Sequence, residues 1–183
     1  MLNAVFISDL HLSPDEPQIM ARFNAFITWA LSNTHAVYVL GDLFHVWAGD
    51  DCAQEGSLAI ADQFRQLTEK GVQLYFMPGN RDFLLGKAFA KQAGFQMLRD
   101  PSVITLNGQS VLLAHGDAYC LLDRAHQRFR RLTRNALFVW FFLLLPSQWR
   151  RNLVMLVRKQ SQHNRPHSPN WNVVPAALIK VMD

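Results

Sequence analysis

Apolar residues recur along this chain in two rhythms. Short apolar runs at Leu2–Ser8, Val37–Leu40 and Val72–Met77 read as buried strands. Between them, Phe23, Phe26, Ile27, Ala30 and Leu31 fall at helical spacing, which predicts a helix over Ile19–Ser32. Leu58, Ala61, Phe64 and Leu67 predict a second helix, which Gly71 terminates. Strand, helix, strand, helix, strand is the pattern of βαβ units and builds a mostly parallel sheet with covered faces. Gly86–Ala93 predicts a short helix ended by Gly94. Val103–Leu106 and Ser110–Ala114 flank Asn107–Gly108, a hairpin signal that predicts the sheet turns antiparallel here.

The pattern then changes. Leu121–Arg134 is basic, with Leu122, Ala125, Phe129 and Leu132 along one helical side. Ala136–Leu145 is an unbroken run of ten apolar residues, stopped by Pro146. A bilayer-spanning helix needs roughly 20, so this run is too short to cross. Trp149–Gln162 resumes a basic amphipathic pattern, residues 163–172 read as irregular, and Val173–Met182 reads as a last short helix with Pro175 in its first turn.

Composition narrows this picture. A length of 183 residues predicts a single domain, residues 1–183, in which the helical stretch of about 121–165 is a cap on an α/β core. Half the residues are hydrophobic, which excludes a disordered chain. Two cysteines, Cys52 and Cys120, do not make a disulfide scaffold and suit a reducing cytoplasm. Met1–Ala4 carries no basic segment of a secretory signal. The net charge of +4 conceals a division. Residues 1–123 hold 7 Lys/Arg and 13 Asp/Glu, a net of −6; residues 124–183 hold 11 and 1, a net of +10. The basic part is expected to face an anionic substrate or membrane surface. It lacks the signatures of a nucleic-acid fold, so no nucleic-acid partner is expected.

The chemistry gathers at the strand ends. Asp9-x-His11, Gly41–Asp42, Gly79–Asn80–Arg81–Asp82 and His115–Gly116–Asp117 each end an apolar run. Singly they are ordinary: an Asp after a strand is most often a cap or turn residue, and a lone His a satisfied edge residue. Together they occupy the position where open α/β sheets place their sites. Asp9 and His11, two apart on extended backbone, would point the same way. The donors are oxygen and nitrogen without thiolate, which suits Mn²⁺, Fe²⁺ or Zn²⁺. Asp42 is the central candidate to bridge two ions held about 3.5–4 Å apart.

These motifs resemble those of the calcineurin-like metallophosphoesterases. The longer stretches Phe6–Leu12, Tyr38–Phe44 and Gly79–Lys87 resemble, within that superfamily, the UDP-2,3-diacylglucosamine hydrolases of lipid A biosynthesis; the resemblance covers about residues 2–160. It implies a layered α/β fold with mixed sheets and a helical cap. It implies two Mn²⁺ ions held by Asp9, His11, Asp42, Asn80 and His115, with Asp42, Asn80 and His115 at the catalytic centre. Asn80, Arg81, Asp123, Ser161 and Asn164 would bind substrate. The reaction implied is hydrolysis of the pyrophosphate of UDP-2,3-diacylglucosamine to UMP and 2,3-diacylglucosamine 1-phosphate, by an enzyme peripheral to the cytoplasmic face of an inner membrane. The apolar run 136–145 would then line a groove for acyl chains.

One element of the pattern is absent. The family closes its site with a C-terminal Gly-His-Thr-His, and no such motif occurs before Asp183. His163 and His167 are four apart and no strand leads to them. The expectation is therefore a domain without its C-terminal core strands and with weakened metal binding. Two alternatives stand beside the leading one: a metallophosphoesterase for another nucleotide or phosphoester, and an inactive fragment that associates with membranes.

Overall fold

The computed structural model describes residues 1–163. The chain divides into two compact units after His115. The first is built on four parallel strands in the spatial order β1-β2-β3-β4: Val5–Ile7, Ala36–Val39, Gln73–Phe76 and Phe95–Met97. Three helices connect them, α1 (Pro17–Asn33), α2 (Glu55–Glu69) and α3 (Lys87–Ala93). Strands in sequence order with crossovers of one hand place all three helices on one face.

Side-chain alternation assigns the two faces. Val37, Val39, Leu74 and Phe76 are buried toward the helices, in register across β2 and β3. Phe23 of α1 packs on Phe64 of α2, and Phe64 on Phe95 of β4, with centroids 5.1 and 4.8 Å apart. Full burial of one such ring contributes about 1.5–3 kcal/mol. On the other face Phe6, Tyr38 and Tyr75 stack across three strands, at 5.0 and 4.4 Å. There Ala36, Tyr38 and Met77 pack with Ile104, Val111 and Leu113.

Those last three residues belong to β5 (Ser102–Leu106) and β6 (Gln109–Leu113), an antiparallel pair joined by Asn107–Gly108. Both turn residues have positive φ, 52° and 78°, as a two-residue hairpin requires. The hairpin is correct as expected, but its place is not. It forms a separate two-stranded sheet rather than an antiparallel extension of the first. The reason is its alternation: one apolar side, Ile104, Val111 and Leu113, needs a face to cover. Strand β4 was not anticipated. Three residues after Gly94 are too few to show a period, and parallel pairing with β3 makes them a strand. The first strand is also shorter than Leu2–Ser8.

In the second unit a short 3-10 turn, Asp117–Tyr119, leads to α4 (Arg124–Thr133), α5 (Ala136–Leu143) and α6 (Ser147–His163). Asp123 caps α4 by accepting the His126 N–H at 2.9 Å. Asn135 caps α5 through the N–H groups of Leu137 and Phe138, at 2.9 and 3.1 Å. Pro146 interrupts the chain between α5 and α6 because it cannot continue the helical hydrogen bonding. Asp117 is buried and takes a hydrogen bond from Arg130 Nε at 3.1 Å. Leu137, Trp140, Phe141 and Leu144 are 56–69% exposed. Among the described residues no helix is long and apolar enough to cross a membrane. Of the irregular stretch expected at 163–172, His163 belongs instead to α6; the rest of it and the helix expected at Val173–Met182 lie outside the described residues.

Candidate metal centre

Parallel strands end on one side, so the segments after β1, β2 and β3 converge. The pairing of the first two continues past the strands: the Asp9 N–H donates to Gly41 O at 3.1 Å, His11 N–H to Asp42 O at 3.0 Å and Leu12 N–H to Leu43 O at 2.7 Å. Extended geometry is not what aims Asp9 and His11. Both lie in the left-handed region, at φ 53° and 46°, as does Asp42 at 54°. A tight turn at each strand end, rather than a straight strand, delivers these side chains.

Asp9, Asp42 and His115 offer ligand atoms that all lie within 4.8 Å of one another. His11 Nε2 is 3.9 Å from Asp42 Oδ2, and His115 Nε2 is 3.6 Å from Asp42 Oδ1. Asp42, 3% exposed, is thus the hub. Asn80 Nδ2 lies 3.3 Å from His115 Nε2, and Arg81 Nε 3.9 Å from Asp42 Oδ2. The first unit therefore brings together Asp9, His11, Asp42, Asn80, Arg81 and His115.

The imidazoles are prepared for ligation. His115 Nδ1 is 2.9 Å from Leu40 O. A carbonyl can only accept, so Nδ1 carries the proton and Nε2 keeps its lone pair on the side facing Asp42. His11 stacks flat on His45, with centroids 5.1 Å apart, and His45 Nε2 is 3.0 Å from Glu16. Burial, opposed by Asp42 and reinforced by His45 and Arg81, lowers the His11 pKa and favours the neutral ring. Its Nδ1 is buried without a hydrogen-bond partner. Carboxylates, imidazoles, a carboxamide side chain and the orphaned ring nitrogen of His11 fit a divalent cation.

Several supporting residues could not be assigned a task from the sequence. Asp82 is fully buried and accepts N–H groups from Leu43, Gly79 and Asp42 at 2.6, 2.8 and 3.3 Å. Burial, with Asp42 nearby, pushes its carboxyl up to about 6 against those three hydrogen bonds. Asp50 accepts from Trp47 Nε1 and from the N–H groups of Gly86, Ala88 and Phe89, at 2.8–3.0 Å. It ties the loop after β2 to the start of α3. Asp100 accepts the His115 N–H at 3.1 Å. The glycine-polar pattern marked these loops, but pattern alone does not say which carboxylate faces inward.

The other expected substrate residues stand apart in the chain. Asp123 caps α4, and Ser161 is exposed on α6, both in the second unit. Asn164 lies outside the described residues.

A parallel sheet covered by helices on one face and a hairpin on the other, with Asp, His and Asn side chains converging at its strand ends, is the arrangement expected from the resemblance to the calcineurin-like metallophosphoesterases. No protein-family profile matches the chain. Individual relatives are more informative. The UDP-2,3-diacylglucosamine hydrolase of Aeromonas hydrophila is 43% identical over 183 residues, which cover 99% of this chain and 76% of that protein. The protein of the same description from Neisseria meningitidis serogroup B is 42% identical, over 92% of this chain and 71% of its own length. Among solved structures, the phosphoesterase YfcE of E. coli matches 62% of this chain and 57% of its own, at 20% identity and a TM-score of 0.41. The chain belongs to the UDP-2,3-diacylglucosamine hydrolase family.

Proposed function

We propose that this chain hydrolyses the pyrophosphate bond of UDP-2,3-diacylglucosamine, a step of lipid A biosynthesis. Water adds across the P–O–P linkage, giving UMP and 2,3-diacylglucosamine 1-phosphate. The observation that carries the reading is the convergence of Asp9, Asp42 and His115 at the strand ends, their ligand atoms within 4.8 Å, in a chain of this family. Asp9 and His11 would hold one Mn²⁺, Asn80 and His115 a second, with Asp42 shared. When bound, such a pair lowers the pKa of water and neutralises charge developing on phosphoryl oxygens. The chain's own residues do the rest. The Leu40 carbonyl fixes the His115 tautomer, and Arg81, beside Asp42, presents a guanidinium to the phosphates. Asn80 contributes to the same contact; the family resemblance, rather than the geometry, assigns Asp123, Ser161 and Asn164 to the sugar and phosphate region.

The second unit supplies what a small phosphoester would not need. Its exposed Trp140, Phe141 and Leu144 suit acyl chains. Its arginines at 124, 128, 131 and 134 suit anionic headgroups, so we place the protein on the cytoplasmic face of an inner membrane. The test is Mn²⁺-dependent release of UMP from the diacyl substrate by the purified chain, with Asp42→Ala as control. Release that the control abolishes is the expected result. Faster cleavage of a soluble nucleotide than of the diacyl substrate would overturn the substrate assignment.

A further inference from the structure

The pairing of β2 with β3 ends where the Met77 N–H meets Val39 O, at 2.9 Å. Beyond it, two carboxylates take over the bonding between the loops. Asp82, in the loop after β3, accepts the N–H groups of Asp42 and Leu43 in the loop after β2, at 3.3 and 2.6 Å. Asp42 returns the contact: its Oδ1 accepts the Arg81 N–H at 2.9 Å. Asp82 also accepts the N–H of Gly79, the residue before Asn80, at 2.8 Å.

Each aspartate therefore reaches into the other's loop, but only one of them faces the candidate ligands. Asp82 has no exposed surface and spends its oxygens on backbone N–H groups. Its bonds go to backbone positions that set where Asp42 and Asn80 stand. A carboxylate suits this task because each of its oxygens accepts more than one N–H. An amide at the same place would turn one donor group against those N–H groups.

We propose that Asp82 is a positioning residue of the metal centre, its carboxylate fixing the spacing of Asp42 and Asn80 and hence the affinity for the divalent ion. This rests on the reading of that centre given above. It differs from a purely structural role in what it moves: ion affinity changes even when the fold is intact.

The experiment compares Mn²⁺ binding by calorimetry, and thermal melting without metal, for the full chain and three variants. Asp82→Asn removes the charge and one acceptor. Asp82→Glu keeps the charge and pushes the carboxylate outward by one methylene. Ile27→Ala, on the buried side of α1, destabilises the fold away from the site. Asp82→Asn and Asp82→Glu are expected to bind Mn²⁺ about 10–100-fold more weakly, the usual effect of losing a residue that orients ligands. Ile27→Ala is expected to melt earlier with affinity within about twofold of the unmutated chain, since distant sites act independently. Unmutated affinity in a folded Asp82→Asn or Asp82→Glu would overturn the proposal. So would failure of both to fold while Ile27→Ala folds, since the role would then be structural. Absence of Mn²⁺ uptake by the unmutated chain would instead overturn the metal-centre reading itself.

Discussion

Replacing Gly79 by alanine tests the site at its tightest point. A Cβ at this position would lie 2.2 Å from Asp42 Oδ1 and 2.4 Å from the Asp42 backbone nitrogen. Ordinary contact lies near 3.5 Å, so the Asp42 carboxylate and the backbone that carries it must both retreat by about 1 Å or more. Gly79 is not among the glycines with positive φ, so its backbone accepts alanine and the effect is steric alone. The retreat breaks the Arg81 N–H bond to Asp42 Oδ1, a loss of about 1–3 kcal/mol for a buried charged acceptor. Overpacking adds about 1–3 kcal/mol. A misplacement of ~1 Å in a catalytic group costs on the order of 100-fold in rate. Gly71→Ala is the control: its φ is 88°, but nothing lies within 4 Å of the added atom. It bears about 1–2 kcal/mol of backbone strain and no clash. Calorimetric Mn²⁺ titration and UMP release should therefore separate the two variants. Gly79→Ala loses about two orders of magnitude in rate and binds Mn²⁺ more weakly, whereas Gly71→Ala changes neither by more than about twofold. Gly79→Ala with unmutated affinity and rate would refute the argument that Asp42 is held at its working distance by this glycine.

Three more outcomes are expected. Asp50→Ala leaves the Trp47 indole and three N–H groups at the start of α3 without their acceptor. It should cost about 2–4 kcal/mol by thermal denaturation, with faster amide exchange at Ala88 and Phe89; an unchanged melting temperature would count against this. Mn²⁺ at 100 times its dissociation constant should stabilise the chain by about 2.7 kcal/mol, and an equal rise in Asp42→Ala would show that the ion binds elsewhere. Trp140→Ser combined with Phe141→Ser removes two side chains that are 56% and 62% exposed. Binding to vesicles containing anionic lipid should fall at least about tenfold, at roughly 1.5–3 kcal/mol for each ring no longer buried, whereas undiminished sedimentation with vesicles would exclude α5 from the contact.

How far the chain could be read in advance differed by element. Val37–Leu40 was legible because a strand buried on both faces is a continuous apolar run, and Val72–Met77 because its apolar residues are interrupted only by Gln73, which is exposed. Phe23, Ile27 and Ala30 showed the buried side of α1 for the corresponding reason. The hairpin was legible in Asn107–Gly108, but not its detachment from the main sheet. That depends on Tyr38 and Met77 needing cover, a property of the assembled face rather than of any local window. In the site, chemistry identified Asp42 and His115, and geometry brought them together. Asp82 could not be given its task from sequence. Its partners, Leu43 and Gly79, offer backbone N–H groups, which every residue but proline possesses and no pattern distinguishes.

The distribution of backbone strain ties these observations together. Four non-glycine residues of the described chain have positive φ. Asn107 is accounted for by its hairpin turn. The other three, Asp9, His11 and Asp42, are all candidate ligands, and each left-handed residue costs about 1–2 kcal/mol. Such strain persists only where the surroundings over-determine it. Here the N–H of every strained ligand is bonded to another loop: Asp9 to Gly41 O, His11 to Asp42 O, and Asp42 to the Asp82 carboxylate. The loop after β1 is thereby held by the loop after β2, and that one by the loop after β3. The series ends at a fully buried carboxylate that cannot shift without exposing its own partners. These bonds are internal to the protein, so they hold the loops together without calling on an ion. Binding energy need not then be spent on assembling the loops, which is the condition for a preorganised centre.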